Sequence, residues 1–329
     1  MCIRDSSLTG QSKRQSKNLT QGRKAVFWNF ARQDMLSAFI TNASTRLDTS
    51  DLPMWRSAGL KMTEVGFLCP SNPLHPKYAS ESAMADDMIS NALIWLLMKL
   101  VNFIAAGDDL PDTISPLGLG IRQQKLLEYW NGLDEQLSIW YEGLPETFHA
   151  TAVRSADTGR TMEEKWFPRP MCASTMQSYH FARIQLLHNK PHLSTASPFT
   201  ARQSERRPHS FPGTSLAARH ASYASILQQS HTHAKEIVAI ALGRSDEGAR
   251  IHSVQPLWTA GLVLGGSADD AGAVDEETEG WRRSVVSQLR GIERDMGWAS
   301  EYRVRSLLEL WDLPDDWEME TEASVLTLI

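Results

Sequence analysis

The longest apolar run of the chain lies between Ile89 and Ile104, interrupted only by Ser90, Asn91, Lys99 and Asn102. A helix of this composition is apolar on most sides, so other elements must surround it. The run is too short and too polar for a bilayer span, and a buried helix from about Met84 to Ala106, ended by Gly107, is the expected outcome. Elsewhere apolar residues recur mainly with helical spacing, and long alternating runs of β-branched residues are absent. These patterns predict an all-α fold, a single multi-helix domain with long surface loops.

The first helix is expected from about Lys24 to Asn42. Trp28, Ala31, Met35, Ala38 and Phe39 fall in one wedge, while Asn29, Arg32, Gln33 and Ser37 face away. Asp51-Leu52-Pro53 and the stretch Pro70 to Pro76 read as loop. A helix over about Ile121 to Tyr141 repeats Leu126, Trp130, Leu133, Leu137 and Trp140, a narrow seam stopped by Gly143-Leu144-Pro145. A polar loop then leads to a helix over Met171 to His188, with Tyr179, Ala182 and Leu186 inward. Further helices follow over Leu216 to Leu242 and around Ile251 to Leu264. In the last pair, Trp281, Val285, Leu289, Ile292 and Met296 mark one face and Val304, Leu307, Leu308 and Trp311 the other. Gly297 supplies a left-handed C-terminal residue, Ser300 is placed to cap the second helix, and Trp298 is expected in the core. The two helices should pack as a hairpin.

A net charge of −6 argues against a stand-alone nucleic-acid binder, which carries a strongly basic face. The three cysteines, Cys2, Cys69 and Cys172, lie far apart, which disfavours a disulfide framework and a structural zinc site. Residues 1–23 lack an apolar signal-peptide core and are expected to be a disordered or non-native leader; residues 318–329 form a C-terminal tail. Ser194 to Thr214, with Arg202, Arg206 and Arg207, and the acidic Asp269 to Gly280 read as surface loops.

Chemistry-bearing motifs are sparse. Asp108, Asp109 and Asp112 match the D-D-x-x-D pattern with which prenyl-diphosphate enzymes hold magnesium, which keeps an all-α, terpene-synthase-like enzyme as the alternative. Gly107 and Pro111 oppose it by favouring a loop, and no second metal-binding motif of the usual form is present. His231 and His233 point to different sides of a helix, and Pro191 separates His188 from His192, so all four read as surface or cap residues. No Walker A, dinucleotide fingerprint or nucleophile elbow occurs. The eleven tryptophans read as core or interface anchors.

Several blocks, in order and spacing, resemble one family. They are Trp28 with Arg32-Gln33-Asp34, then Arg46-Leu47-Asp48, the helix Asn91 to Val101, and Trp140 followed by Leu144-Pro145 and Phe148. After them come Tyr179-His180-Phe181-Ala182-Arg183-Ile184, Gln255-Pro256-Leu257-Trp258, Gly297-Trp298, Glu301-Tyr302-Arg303-Val304, and Trp311. Together these span residues 24–317 and resemble the fungal-specific transcription factor domain, the regulatory region of zinc binuclear cluster regulators. The resemblance implies a non-catalytic regulator of RNA polymerase II transcription that acts in the nucleus and not at a membrane. Its partners would be a second copy or transcriptional co-regulators, with a small-molecule effector in some members. The family's six-cysteine zinc cluster, which reads DNA, has no counterpart in these residues. The expectation is a truncated regulatory region without a cofactor of its own, zinc and DNA contact belonging to the missing cluster. The signature residues read as packing determinants.

Overall fold

The computed structural model describes residues 20–71, 83–108, 116–155, 162–191, 216–243, 246–266 and 276–317. The chain is all-α, with ten α-helices among these residues: α1 (Gln21–Thr41), α2 (Leu52–Ser57), α3 (Asp86–Asp108), α4 (Pro116–Glu142), α5 (Pro170–His188), α6 (Leu216–Leu242), α7 (Glu247–Ile251), α8 (Val254–Leu264), α9 (Glu276–Met296) and α10 (Glu301–Leu310). The leader up to residue 19, the loop carrying Arg202, Arg206 and Arg207, and the tail 318–329 lie outside the described residues.

Helix α3 sits at the centre. Ala92 to Met98 are all buried, and α1, α4 and α5 pack around it. Its one lysine is accommodated locally: Lys99 Nζ donates to Gln136 Oε1 at 3.0 Å and lies over the Trp95 ring. By length and hydropathy Asp86–Ala106 is long and apolar enough to cross a membrane, contrary to the sequence expectation, because the helix extends beyond the apolar run at both ends. Two-thirds of that window (67%) is buried inside the protein, as for a core helix.

Helix α5 is the second enclosed element. The sequence marks one inner face, yet thirteen of its residues are buried, because α3, α6, α7 and α8 all pack against it. It thereby joins the α1–α3–α4 group to the closing group α8–α9–α10, and buried residues from Trp28 to Trp311 form one continuous apolar cluster. Two glycines let the closing helices approach. A Cβ on Gly261 would lie 2.7 Å from Leu307, and one on Gly265 would lie 2.0 Å from the Trp311 indole nitrogen.

Four local features depart from expectation. The Asp51-Leu52-Pro53 segment is helical, since the Asp51 carboxylate accepts from the Met54 amide at 3.1 Å and Pro53 suits a first turn. The loop after α4 contains an antiparallel ribbon, β1 (Ala152–Arg154) with β2 (Glu164–Trp166), in register Val153 to Lys165. Residues 276–280 of the expected acidic loop are the first turn of α9, where Glu276, Glu277 and Glu279 complement the helix dipole. Ser300 sits at the α10 N-cap but its hydroxyl donates to Leu289 O; the Glu293 carboxylate accepts from the Ser300 and Glu301 amides instead, at 2.7 and 2.6 Å.

Candidate functional site

Helix α1 leans on α3, while α7 and α8 lean on α5. Between these two pairs lies a cavity of about 190 Å³. Leu93, Ile94 and Leu97 of α3 and Phe181 of α5 give it an apolar floor, and Phe39 of α1 closes one end by meeting Phe181 edge to face at 5.1 Å. Four serine and threonine hydroxyls also line it, and all are held by their own helices or by each other. Thr175 Oγ1 lies 2.8 Å from Met171 O and 2.9 Å from Ser90 Oγ; Ser90 donates to Asp86 O, Ser174 to Met171 O and Ser178 to Ser174 O. The floor is therefore apolar with satisfied polar groups, which suits a small organic guest.

The rim is built from distant parts of the chain: Arg32 and Gln33 on α1, His252 after α7, Gln255 and Pro256 on α8, and Trp298 and Tyr302 around the α9–α10 turn. Among the described residues no carboxylate lines the cavity. Burial lowers the Arg32 pKa, and desolvation together with the Arg32 cation lowers that of His252. Arg32 was expected on the outward side of α1. Seven residues from Phe39, it is only about 20° away on a helix of 3.6 residues per turn, at the edge of the apolar wedge.

The other signature residues hold the frame. Trp28 donates its indole N–H to Ala58 O at 3.1 Å. Asp34 is buried and accepts from the Arg46 and Leu47 amides at 2.9 Å each. Leu144 is buried, and Pro145 precedes the 3-10 turn Glu146–Phe148 that buries Phe148. Leu257 and Trp311 are core residues. Trp258 lies under the Arg303 guanidinium, 4.1 Å from its ring centre, while Arg303 also donates to Gln255 Oε1 at 3.1 Å. Gly297 has φ +66°, the left-handed conformation expected.

Trp298 is a correction. It is 52% exposed, because the turn at Gly297 carries it out of the hairpin to the cavity rim, and Ser300 is the buried residue of that link. His233 is another. It is no surface residue: its Nδ1 lies 2.9 Å from Nδ1 of His180, with burial as the main cause lowering both pKa values, to about 4 for His233. His188 meets Ser230 at 3.1 Å, and His192 lies outside the described residues. The same α5 motif places Tyr179 against Tyr141 in a stack at 4.7 Å and Arg183 in an ion pair with Asp134. Asp108 is the last residue of α3, whereas Asp109 and Asp112 lie outside the described residues. Among the described residues no three His, Cys, Asp or Glu side chains gather as a metal site would require.

Sequence reasoning did not find Leu93, Ile94, Thr175 or Phe181 as cavity residues. Their apolar and small character is equally that of a packed core, and only the gap between α1 and α8 distinguishes them.

Fold and cavity together define a class: an all-α domain with a largely apolar, one-sided cavity of small-molecule size. The chain is similar to the transcription activator AMTR1 of Alternaria alternata, with 38% identity over 308 residues. That match covers 90% of this chain and 36% of the relative, so the chain spans about a third of the length of the protein it matches. No family model matches the chain. No solved structure matches it.

Proposed function

We propose that the chain is the regulatory, middle-to-C-terminal region of a fungal transcription factor of the zinc binuclear cluster type. It acts in the nucleus on RNA polymerase II transcription and performs no catalysis. A small-molecule effector occupies the cavity between α1, α5 and α8, and contact with a second copy or with co-regulators passes the signal on. DNA is reached through a zinc cluster outside this chain, and no zinc is held by the residues described.

The observation that carries the reading is the 38% identity to a transcription activator along almost the whole chain. The cavity supports the effector part of it: residues of four separate sequence blocks converge on its rim, and its polar floor groups are satisfied without any catalytic arrangement.

The test is to fuse the chain to a heterologous DNA-binding domain and read a reporter driven by that domain's site. Transcription should change relative to the DNA-binding domain alone. An unchanged reporter with a stably expressed fusion contradicts the proposal. The purified chain alone should show no sequence-selective gel shift at moderate salt, where non-specific phosphate contacts weaken.

A further inference from the structure

Arg32 stands apart from the other partly buried arginines among the described residues. Arg183 pairs with Asp134, Arg250 with Asp295 and Arg290 with Glu301. Arg303 has Gln255 and two aromatic rings. Arg32 is half-buried at the cavity rim, and among the described residues its guanidinium has no hydrogen-bond acceptor and no ion-pair partner. A guanidinium stays charged, and removing part of its water without supplying an acceptor costs free energy. Its nitrogens still reach solvent at the rim, where an anion can replace that water.

The surroundings narrow that anion. The hydroxyls of the floor donate to carbonyls of their own helices, so they place no demand on a guest. Leu93, Ile94 and Phe181 ask for an apolar body. His252 is the other titratable group at the rim, and desolvation with the Arg32 charge beside it favours its neutral form. One fixed positive charge matches a monoanion and leaves the second charge of a phosphate monoester uncompensated. A planar carboxylate fits a guanidinium through two parallel hydrogen bonds. A cavity of about 190 Å³ exceeds the roughly 150 Å³ that holds a benzene ring, which sets the guest at about ten non-hydrogen atoms.

We propose that the cavity binds a small amphipathic monocarboxylate, its carboxylate paired with Arg32 and its apolar body on Leu93, Ile94 and Phe181. This rests on the reading of the cavity as an effector site, and the test separates the two.

The purified full chain is titrated calorimetrically with three probes of one shape: phenylpropionate, phenylpropanol and phenylpropylamine. The acid should bind about tenfold or more tighter than the alcohol, and the amine weakest. Arg32→Gln should bring the acid down to the level of the alcohol, and Arg32→Lys should restore part of the preference. Near-ultraviolet circular dichroism checks that both variants keep the native tryptophan packing. Equal binding of acid and alcohol, or a preference that survives Arg32→Gln, overturns the carboxylate assignment while leaving the cavity as the site. Failure of the acid to bind at millimolar concentration overturns it as well. If Ser178→Phe, which fills the cavity from α5, leaves all three affinities unchanged, the guests bind elsewhere and the effector-site reading fails with it.

Discussion

Removing the Asp34 carboxylate tests whether the Arg32-Gln33-Asp34 block is structural at its third position. Asp34 is 6% exposed, and its Oδ2 accepts from the amides of Arg46 and Leu47 at 2.9 Å each. Neighbouring contacts pin the same loop: Asn102 Oδ1 accepts from Thr45 N, and the indoles of Trp55 and Trp95 donate to Asp48 O and Thr49 O. The loop therefore cannot easily turn its amides elsewhere. Asp34→Ala leaves two donors without acceptors, at about 1–3 kcal/mol each when water is excluded. Arg46 is exposed and Leu47 half-buried, so water compensates in part and the lower end applies, about 2–3 kcal/mol in total. Asp34→Asn keeps one acceptor oxygen and should cost about 1 kcal/mol less. Urea unfolding followed by tryptophan fluorescence should show a lower midpoint at unchanged slope, and the Arg46 and Leu47 amides should exchange faster. If both variants unfold within about 0.5 kcal/mol of the parent, the carboxylate does not hold this loop and the reasoning fails.

Trp298→Ala should cost under about 1 kcal/mol, since half the side chain is exposed, whereas Leu307→Ala in the hairpin core should cost about 2–5 kcal/mol; similar losses from both would contradict the assigned burial. Gly265→Val should destabilise by about 3 kcal/mol because its Cβ would occupy the space of the Trp311 indole, while Gly297→Ala, with nothing within 4 Å, should cost only the backbone strain of φ +66°, about 1–2 kcal/mol; thermal denaturation that ranks them the other way is inconsistent with the packing. The His180–His233 pair predicts acid sensitivity. Both imidazoles have folded pKa values below 6.5, so the unfolded chain binds more protons below that pH, and stability should fall as pH drops from 6.5 toward 4. The loss should be at most about 1.4 kcal/mol per pH unit for His233, and unfolding midpoints measured across that range should flatten in His233→Asn.

Much of the fold is readable from periodicity alone. The seam Trp130, Leu133, Leu137 and Trp140 is buried as its spacing requires, and the bounds Leu216–Leu242 are those the pattern predicts. Legibility fails where a short-range rule competes with a stronger one. Asp51-Leu52-Pro53 carries turn-forming residues, but the same residues make an N-cap and a first-turn proline. Trp298 is a large aromatic just beyond a helix whose inner face is buried, yet the backbone turn at Gly297 decides its direction. His233 looks solvent-facing on its own helix, and its partner His180 is 53 residues away on α5, a separation no local pattern encodes.

The cavity is harder to read for the same reason: it is a property of a gap. Apart from His252, its rim residues nevertheless lie in the blocks that carry the family resemblance, Arg32-Gln33, Gln255-Pro256, Trp298 and Tyr302, beside other residues of those blocks that only pack. The rim is also tied to the closing hairpin. Gln255 accepts from Arg303, Arg303 stacks on Trp258 and Tyr302, and Tyr302 itself lines the cavity. A guest that displaces Gln255 or Tyr302 must disturb the Arg303 contacts and with them the seating of α10 on α8. Occupancy and hairpin position are then linked by contiguous side chains, and the linkage is reciprocal: a substitution such as Arg303→Ala, remote from the cavity floor, should alter guest affinity by the same factor by which the guest alters the stability cost of that substitution.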